Sequence, residues 1–295
     1  MFDAANFHFI YRSANVENTK SRPVGYAKLT SLRSFLRALA ACPCTGDLLF
    51  LNNGPIPADQ VDAMDTTGEI VPRAGLELHQ SYWAAIDLAL GRGWADEDLV
   101  YFAEDDYLYR EETFASLREA AGRLPGGAYL APYATVGGRM PNGEPLHAGL
   151  RRASTPPALL TEAAGIEWHR ALSHTSSFAV RVGVLRADRS LHRVAPRCGG
   201  AWDHSLSLAY QGRAPFGPRA LAEPLRDGSG ATAARRAKTV TWRAALAALA
   251  LTARRRGRLL AAPRPALATH METGLMATGT DWDAEADAAR RWADG

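Results

Sequence analysis

The chain has 295 residues, 47% hydrophobic and 22% charged, with 26 Gly and 17 Pro. That balance supports a folded core and excludes intrinsic disorder, collagen-like repeats and disulfide-framework scaffolds. The net charge of +3 is too small to argue for nucleic acid, and no basic-aromatic recognition motif accompanies it.

The length suits two domains of ordinary size, or one large α/β domain with a C-terminal extension. Cys42, Cys44 and Cys198 form no framework and no zinc site, which suits a reducing, cytoplasmic location. The opening MFDAANFHFIYRS lacks the basic and long apolar regions of a signal peptide. The apolar run Ala244 to Ala253 is far shorter than the ~20 residues of a membrane span.

Strand and helix signals alternate through the first half. Phe7 to Tyr11 reads as a buried strand. In Tyr26 to Ala41, Leu29, Leu32, Leu36 and Leu39 recur at helical spacing. Asp47 to Leu51 is a second strand, closed by the turn Asn52-Asn53-Gly54-Pro55. A short helix over Pro57 to Met64, a strand over Glu69 to Val71 and a helix over Gln80 to Gly91 follow. The strand Asp98 to Ala103 runs straight into Glu104-Asp105-Asp106. A helix over Glu111 to Ala121 and a strand over Ala128 to Tyr133 complete this half. Such alternation predicts a mostly parallel sheet with helices on both faces, and ligands of such sheets bind at the C-terminal ends of the strands.

Later the pattern loosens. Residues 136–165 read as loops with short helical pieces, His174 to Arg181 as a strand, Asp203 to Gln211 as a short helix and 239–260 as a helix. A loop around Thr269-His270-Met271-Glu272 and a polar terminal helix close the chain.

The acidic triplet is the sharpest chemical signal. Three adjacent carboxylates after a buried strand raise one another's pKa unless a cation neutralises them. Oxygen-rich sites select Mg²⁺ or Mn²⁺, often with substrate phosphates completing the shell. The competing reading is a solvated acidic turn with one residue capping the next helix.

An apolar strand ending in a D-x-D-type motif about a hundred residues into an α/β chain resembles the nucleotide-sugar-dependent glycosyltransferases of the GT-A fold, in particular family-2-like members. The resemblance covers roughly residues 5–212, with an extension to His270. It implies that Glu104, Asp105 and Asp106 contact the donor's ribose and the metal on its diphosphate. Glu in the first position leaves the metal assignment among the three open. It also implies a base-binding role for Tyr11, Arg12 and Ser13 after the first strand. At the end of the second strand, where the family carries an acidic turn, Asn52 and Asn53 stand here. Gly199-Gly200-Ala201-Trp202-Asp203 is similar to the family's acceptor region, which assigns Asp203 as general base, with a helix-capping role as its rival. His270 corresponds to a histidine that joins the same metal. His169 and His174 read as acceptor-side or structural residues.

The expectation is therefore a GT-A-like sandwich, with a nucleotide-sugar half (about 1–134), an acceptor half (about 135–232) and a basic helical extension (233–295) carrying the possible metal-ligand loop. The expected activity is metal-dependent transfer, with inversion, from a nucleoside-diphosphate sugar to an unknown acceptor hydroxyl. A nucleotidyltransferase of similar fold and an inactive nucleotide-binding scaffold are the rivals. Residues 233–265 hold nine Lys or Arg and no Asp or Glu. That segment reads as a solvated helix face, an in-plane helix on an anionic membrane, or an attractor for phosphates.

Overall fold

The computed structural model describes residues 6–16, 20–145, 157–226 and 232–292. Part of the loop expected over 136–165, residues 146–156, lies outside them. The first half contains β1 (Phe7–Ala14), α1 (Lys28–Ala40), β2 (Leu48–Asn53), α2 (Ala58–Asp65), β3 (Glu69–Arg73), α3 (Leu78–Gly91) and β4 (Leu99–Glu104). These strands pair in parallel in the order β3-β2-β1-β4, as the alternating pattern requires.

Further along lie β5 (Tyr107–Tyr109), α4 (Thr113–Arg123), β6 (Ala128–Leu130), β7 (Ala134–Val136), β8 (Leu159–Ala163), β9 (Ile166–His174) and β10 (Phe178–Arg181). Then come α5 (Val182–Val194), α6 (Trp202–Tyr210), α7 (Pro218–Arg226), α8 (Ala233–Ala253), β11 (Leu259–Arg264), β12 (Ala268–His270) and α9 (Trp282–Trp292). Strand β10 runs antiparallel between β4 and β6, and the sheet continues through β11 and β9 to β7. Among the described residues the result is an α/β sandwich on a ten-stranded mixed sheet.

Each sheet face has its own core, because β1 is buried on both sides and successive side chains alternate. Phe7, Phe9 and Tyr11 pack with Phe35 of α1 and Phe114 of α4, and Trp282 of α9 closes the same core. Ile10 points the other way, into a core with Tyr82 and Ile86 of α3, Leu185 of α5, Tyr210 of α6 and Leu246 of α8.

The structure corrects several sequence expectations. The strand expected over His174 to Arg181 is the end of β9 and the whole of β10, separated by the polar corner Thr175-Ser176-Ser177. Helix α5 escapes the periodicity reading because its buried face includes Asp188 and His192. The helix expected over 239–260 ends at Ala253, and Leu259–Arg264 is a strand. That strand lies between β6 and β9, so residues 233–295 are not an appended extension but supply part of the central sheet.

The basic segment is also partly internal. Leu246, Ala250 and Ala253 of α8 face the second core, so the apolar side that would lie in a membrane interface is already packed. Arg243 is buried and donates through Nε to the Cys198 carbonyl at 3.1 Å. Arg256 and Arg258 pair with Asp188, a fully buried carboxylate that also accepts from Tyr129 Oη at 3.1 Å. Among the described residues, no helix is long and apolar enough to cross a membrane.

Asp188 ties α5 to the approach of β11. Replacing it with Ala strands the largely buried Arg258 while the half-exposed Arg256 turns to water, which places the loss at the lower end of the roughly 3–5 kcal/mol for breaking a buried pair from one side. Urea unfolding of Asp188→Ala is expected to show a loss of about that size. A loss below about 1 kcal/mol would mean that the cluster is not structural.

Candidate active site

A cavity of about 720 Å³ opens at the C-terminal ends of β1, β2 and β4. Its lining includes Arg12, Ser13, Asn53, the triplet Glu104, Asp105 and Asp106, and also Asp203 and His270. Residues far apart in sequence meet here for definable reasons. The parallel register sets Arg12 opposite Glu104 across β1 and β4. The pairing of β12 with β5 sets His270 opposite Tyr107, the residue after Asp106. Met271 N–H donates to the Asp106 carbonyl at 2.8 Å and locks that juxtaposition.

Each acid of the triplet has a separate cationic partner. Arg12 donates to Glu104 Oε1 at 2.7 Å. Lys28 Nζ and the Ala14 N–H both reach Asp105 Oδ2 at 2.9 Å. Both terminal nitrogens of Arg22 reach Asp106 Oδ2 at 3.2 Å. Burial raises the pKa of Glu104 and of Asp105, with Arg12 and Lys28 respectively opposing it. Burial also pushes Asp106 upward, but His270, Lys20 and Arg22 outweigh it and hold this carboxyl below the usual range. The triplet is a charged, compensated wall and not a solvated turn.

His270 Nε2 lies 3.1 Å from Asp106 Oδ2, and Nδ1 lies 3.5 Å from Glu272 Oε2. Nε2 also lies 3.2 Å from Lys20 Nζ, so it faces an acceptor and a donor at once, and one ring proton cannot serve both. Two adjacent ligands of an octahedral Mg²⁺ are about 3 Å apart, which is the spacing of these two donor atoms. A carboxylate behind the other ring nitrogen is the usual support of a metal-binding histidine. Asp106 and His270 are thus the two side chains of the cavity whose chemistry and spacing would suit a divalent cation.

The expected third ligand does not join them. Glu104 is held by Arg12, and no group of three or more His, Cys, Asp or Glu among the described residues converges for a metal. Its carboxylate lies beside Arg12.

Asp203 stands in the first turn of α6, one residue inside the helix, and the N-cap is Ala201. Asp203 is therefore not the N-cap residue itself. Gly199 and Gly200, at φ +66° and +62°, turn the chain so that Trp202 and Asp203 face the cavity. Asp203 Oδ1 accepts from the His204 N–H at 2.8 Å. Desolvation in the cavity wall raises its carboxyl above the ordinary value, a poise suited to proton acceptance.

Two expected donor contacts are corrected. Tyr11 is 1% exposed, because its side chain falls on the core side of β1, where it packs on Phe35 and Phe50. Asn52 is buried and spent internally: it accepts from Ser13 Oγ at 2.6 Å and points its Nδ2 at Met64 Sδ. Asn53 lines the cavity, but both ends of its amide bind the Leu76 backbone and shape the loop before α3. His174 is a core residue, and burial lowers its pKa to about 3. His169 lies off the cavity, beside Glu167 on β9.

Sequence reading gave Lys20, Arg22 and Lys28 no place in the site. The available signal was a loop after β1 that carries cations and must cross the acidic strand end.

No protein-family model matches the sequence, and no curated protein matches it. Solved structures give distant likenesses. One is 4-diphosphocytidyl-2C-methyl-D-erythritol synthase, at 14% identity and a TM-score of 0.37, covering 64% of this chain and 78% of that one. Another is residues 1–349 of S. aureus TarS, at 14% identity and a TM-score of 0.39, covering 69% of this chain. The same fragment, also solved in complex with UDP, aligns equally well. This chain spans about half of that fragment, 54%. Similarity at this level carries no weight for function, which rests here on the cavity itself.

Proposed function

We propose that the protein transfers a sugar from a nucleoside-diphosphate sugar to an acceptor hydroxyl, with inversion at the anomeric carbon. The observation that carries this reading is the convergence of a compensated acidic triplet, four basic side chains and a separate desolvated carboxylate on one cavity.

Arg12, Lys20, Arg22 and Lys28 present cationic groups to the donor's diphosphate. Glu104 and Asp105 orient those cations and accept hydrogen bonds from the ribose. Asp106 and His270 would hold a divalent cation, Mn²⁺ or Mg²⁺, which supplies Lewis-acid neutralisation of the leaving diphosphate. The acceptor oxygen attacks the anomeric carbon, and the bond from that carbon to the diphosphate oxygen breaks. Its electron pair leaves with the diphosphate, and the hydroxyl proton passes to Asp203. Direct attack assisted by one carboxylate inverts the anomeric centre.

A melt screen with UDP, GDP and dTDP, with and without Mn²⁺, tests donor class. A ligand at a hundred times its Kd stabilises by about 2.7 kcal/mol, or roughly 4 °C for a chain of this size. At least one diphosphate is expected to raise Tm that far with Mn²⁺. No shift with any of them contradicts the proposal.

A further inference from the structure

A second cavity of about 370 Å³ adjoins the first and shares Ala14, Arg22 and Lys28 with it. One wall is Arg22, whose guanidinium stacks over the Tyr26 ring at 4.4 Å from the centroid. Gln60 of α2 supplies another wall. It is only 8% exposed. Its backbone N–H is satisfied by the Pro57 carbonyl and by Asp59 Oδ1. Its side-chain amide makes no hydrogen bond with any described residue. The residue is packed but its amide reaches the cavity, so a ligand there meets a donor and an acceptor that no described protein group occupies.

The amides expected to read the donor's base are spent elsewhere, Asn52 on Ser13 and Asn53 on Leu76. We infer that Gln60 is the specificity-determining residue for the donor's nucleobase, which sits in this second cavity against the Arg22–Tyr26 stack. This rests on the nucleoside-diphosphate reading above. The shared residues join the two cavities, so a base in the smaller one stays connected to a diphosphate beside Arg22 and Lys28 in the larger. A carboxamide offers one acceptor and one donor side by side, the complement of an N–H next to a carbonyl on a base edge. The flat guanidinium–phenol wall suits a planar ring.

Calorimetric titration of UDP, CDP, GDP, ADP and inorganic pyrophosphate into the parent protein, Gln60→Ala, Gln60→Met and Gln60→Glu tests the inference. The parent is expected to favour one base at least tenfold. The Ala and Met variants are expected to bind that diphosphate about 10–100-fold more weakly, bring the four nucleotides close together and leave pyrophosphate unchanged. Gln60→Glu keeps only acceptors, so its preference should move toward guanine, whose edge offers two adjacent N–H groups. A parent with no base preference, or variants that keep its affinities and ranking, overturns the inference and leaves the transferase reading standing. Equal losses for pyrophosphate and nucleotides also overturn it, since Gln60 would then act on the whole fold. A parent that binds no nucleoside diphosphate overturns both.

Discussion

Asp203→Asn is expected to lower kcat about 10²–10⁴-fold while donor affinity stays within about a factor of two. The amide keeps the size of the side chain and can still accept the His204 N–H, but it cannot take the acceptor's proton. The parent's pH–rate profile should fall on the acid side through a value above the ordinary aspartate range, because Asp203 must be ionised and its carboxyl is raised. The Asn variant should lack that limb. Stability should move the other way. A carboxyl raised in the fold binds its proton more tightly there than in the unfolded chain, so it subtracts stability at pH values above its folded pKa. Asn removes that penalty, and the variant's Tm at pH 7 should equal or exceed the parent's. An early melt with unchanged turnover per folded molecule would reduce Asp203 to a structural residue.

Asp106→Asn is expected to remove the Mn²⁺ enhancement of nucleotide binding, at least about tenfold, without unfolding the protein. A carboxyl held below its usual range adds stability at neutral pH that Asn gives up, so a modestly lower Tm is expected with the fold retained. Arg22 keeps its 2.7 Å bond to the Met271 carbonyl, so it is not stranded. His270→Ala should reproduce the loss, since both atoms of the proposed metal edge are needed. Glu104→Gln should weaken binding equally with and without the ion, because Glu104 acts through Arg12. Unchanged Mn²⁺ dependence in Asp106→Asn would show the ligand assignment to be wrong.

The contrast between these residues shows what a sequence exposes. Apolar runs ending in polar residues located β1, β2 and β4, and with them the triplet, since a buried parallel strand leaves a strong local mark. Asp203 and His270 were visible by residue type, but their place was not. The contact between His270 and Asp106 depends on β5 and β12, three residues each, too short for any periodicity. Strand β11 was hidden because its apolar residues follow directly on a basic helix and read as its continuation. Tyr11 was misplaced by the period of two along β1, which sends Tyr11 into the core while Arg12 lines the cavity. Asn52 and Asn53 have the chemistry of base readers, and only the hydrogen bonds to Ser13 and Leu76 reveal that they are occupied. Gln60, on a short helix with no motif around it, gave no signal until its burial and its unpartnered amide were seen together.

The most direct measurement is ³¹P NMR of a panel of nucleoside-diphosphate sugars incubated with the protein, Mn²⁺ and a mixed pool of hydroxyl acceptors including water. Transfer of the sugar breaks the bond between the anomeric carbon and oxygen and must release an intact nucleoside diphosphate. The expected spectrum shows that diphosphate growing from one donor, and no growth with Asp203→Asn. Release of nucleoside monophosphate and sugar phosphate would place the cleavage at phosphorus, as in nucleotidyl chemistry, and would contradict the proposed function. So would a panel in which every donor binds and none is consumed.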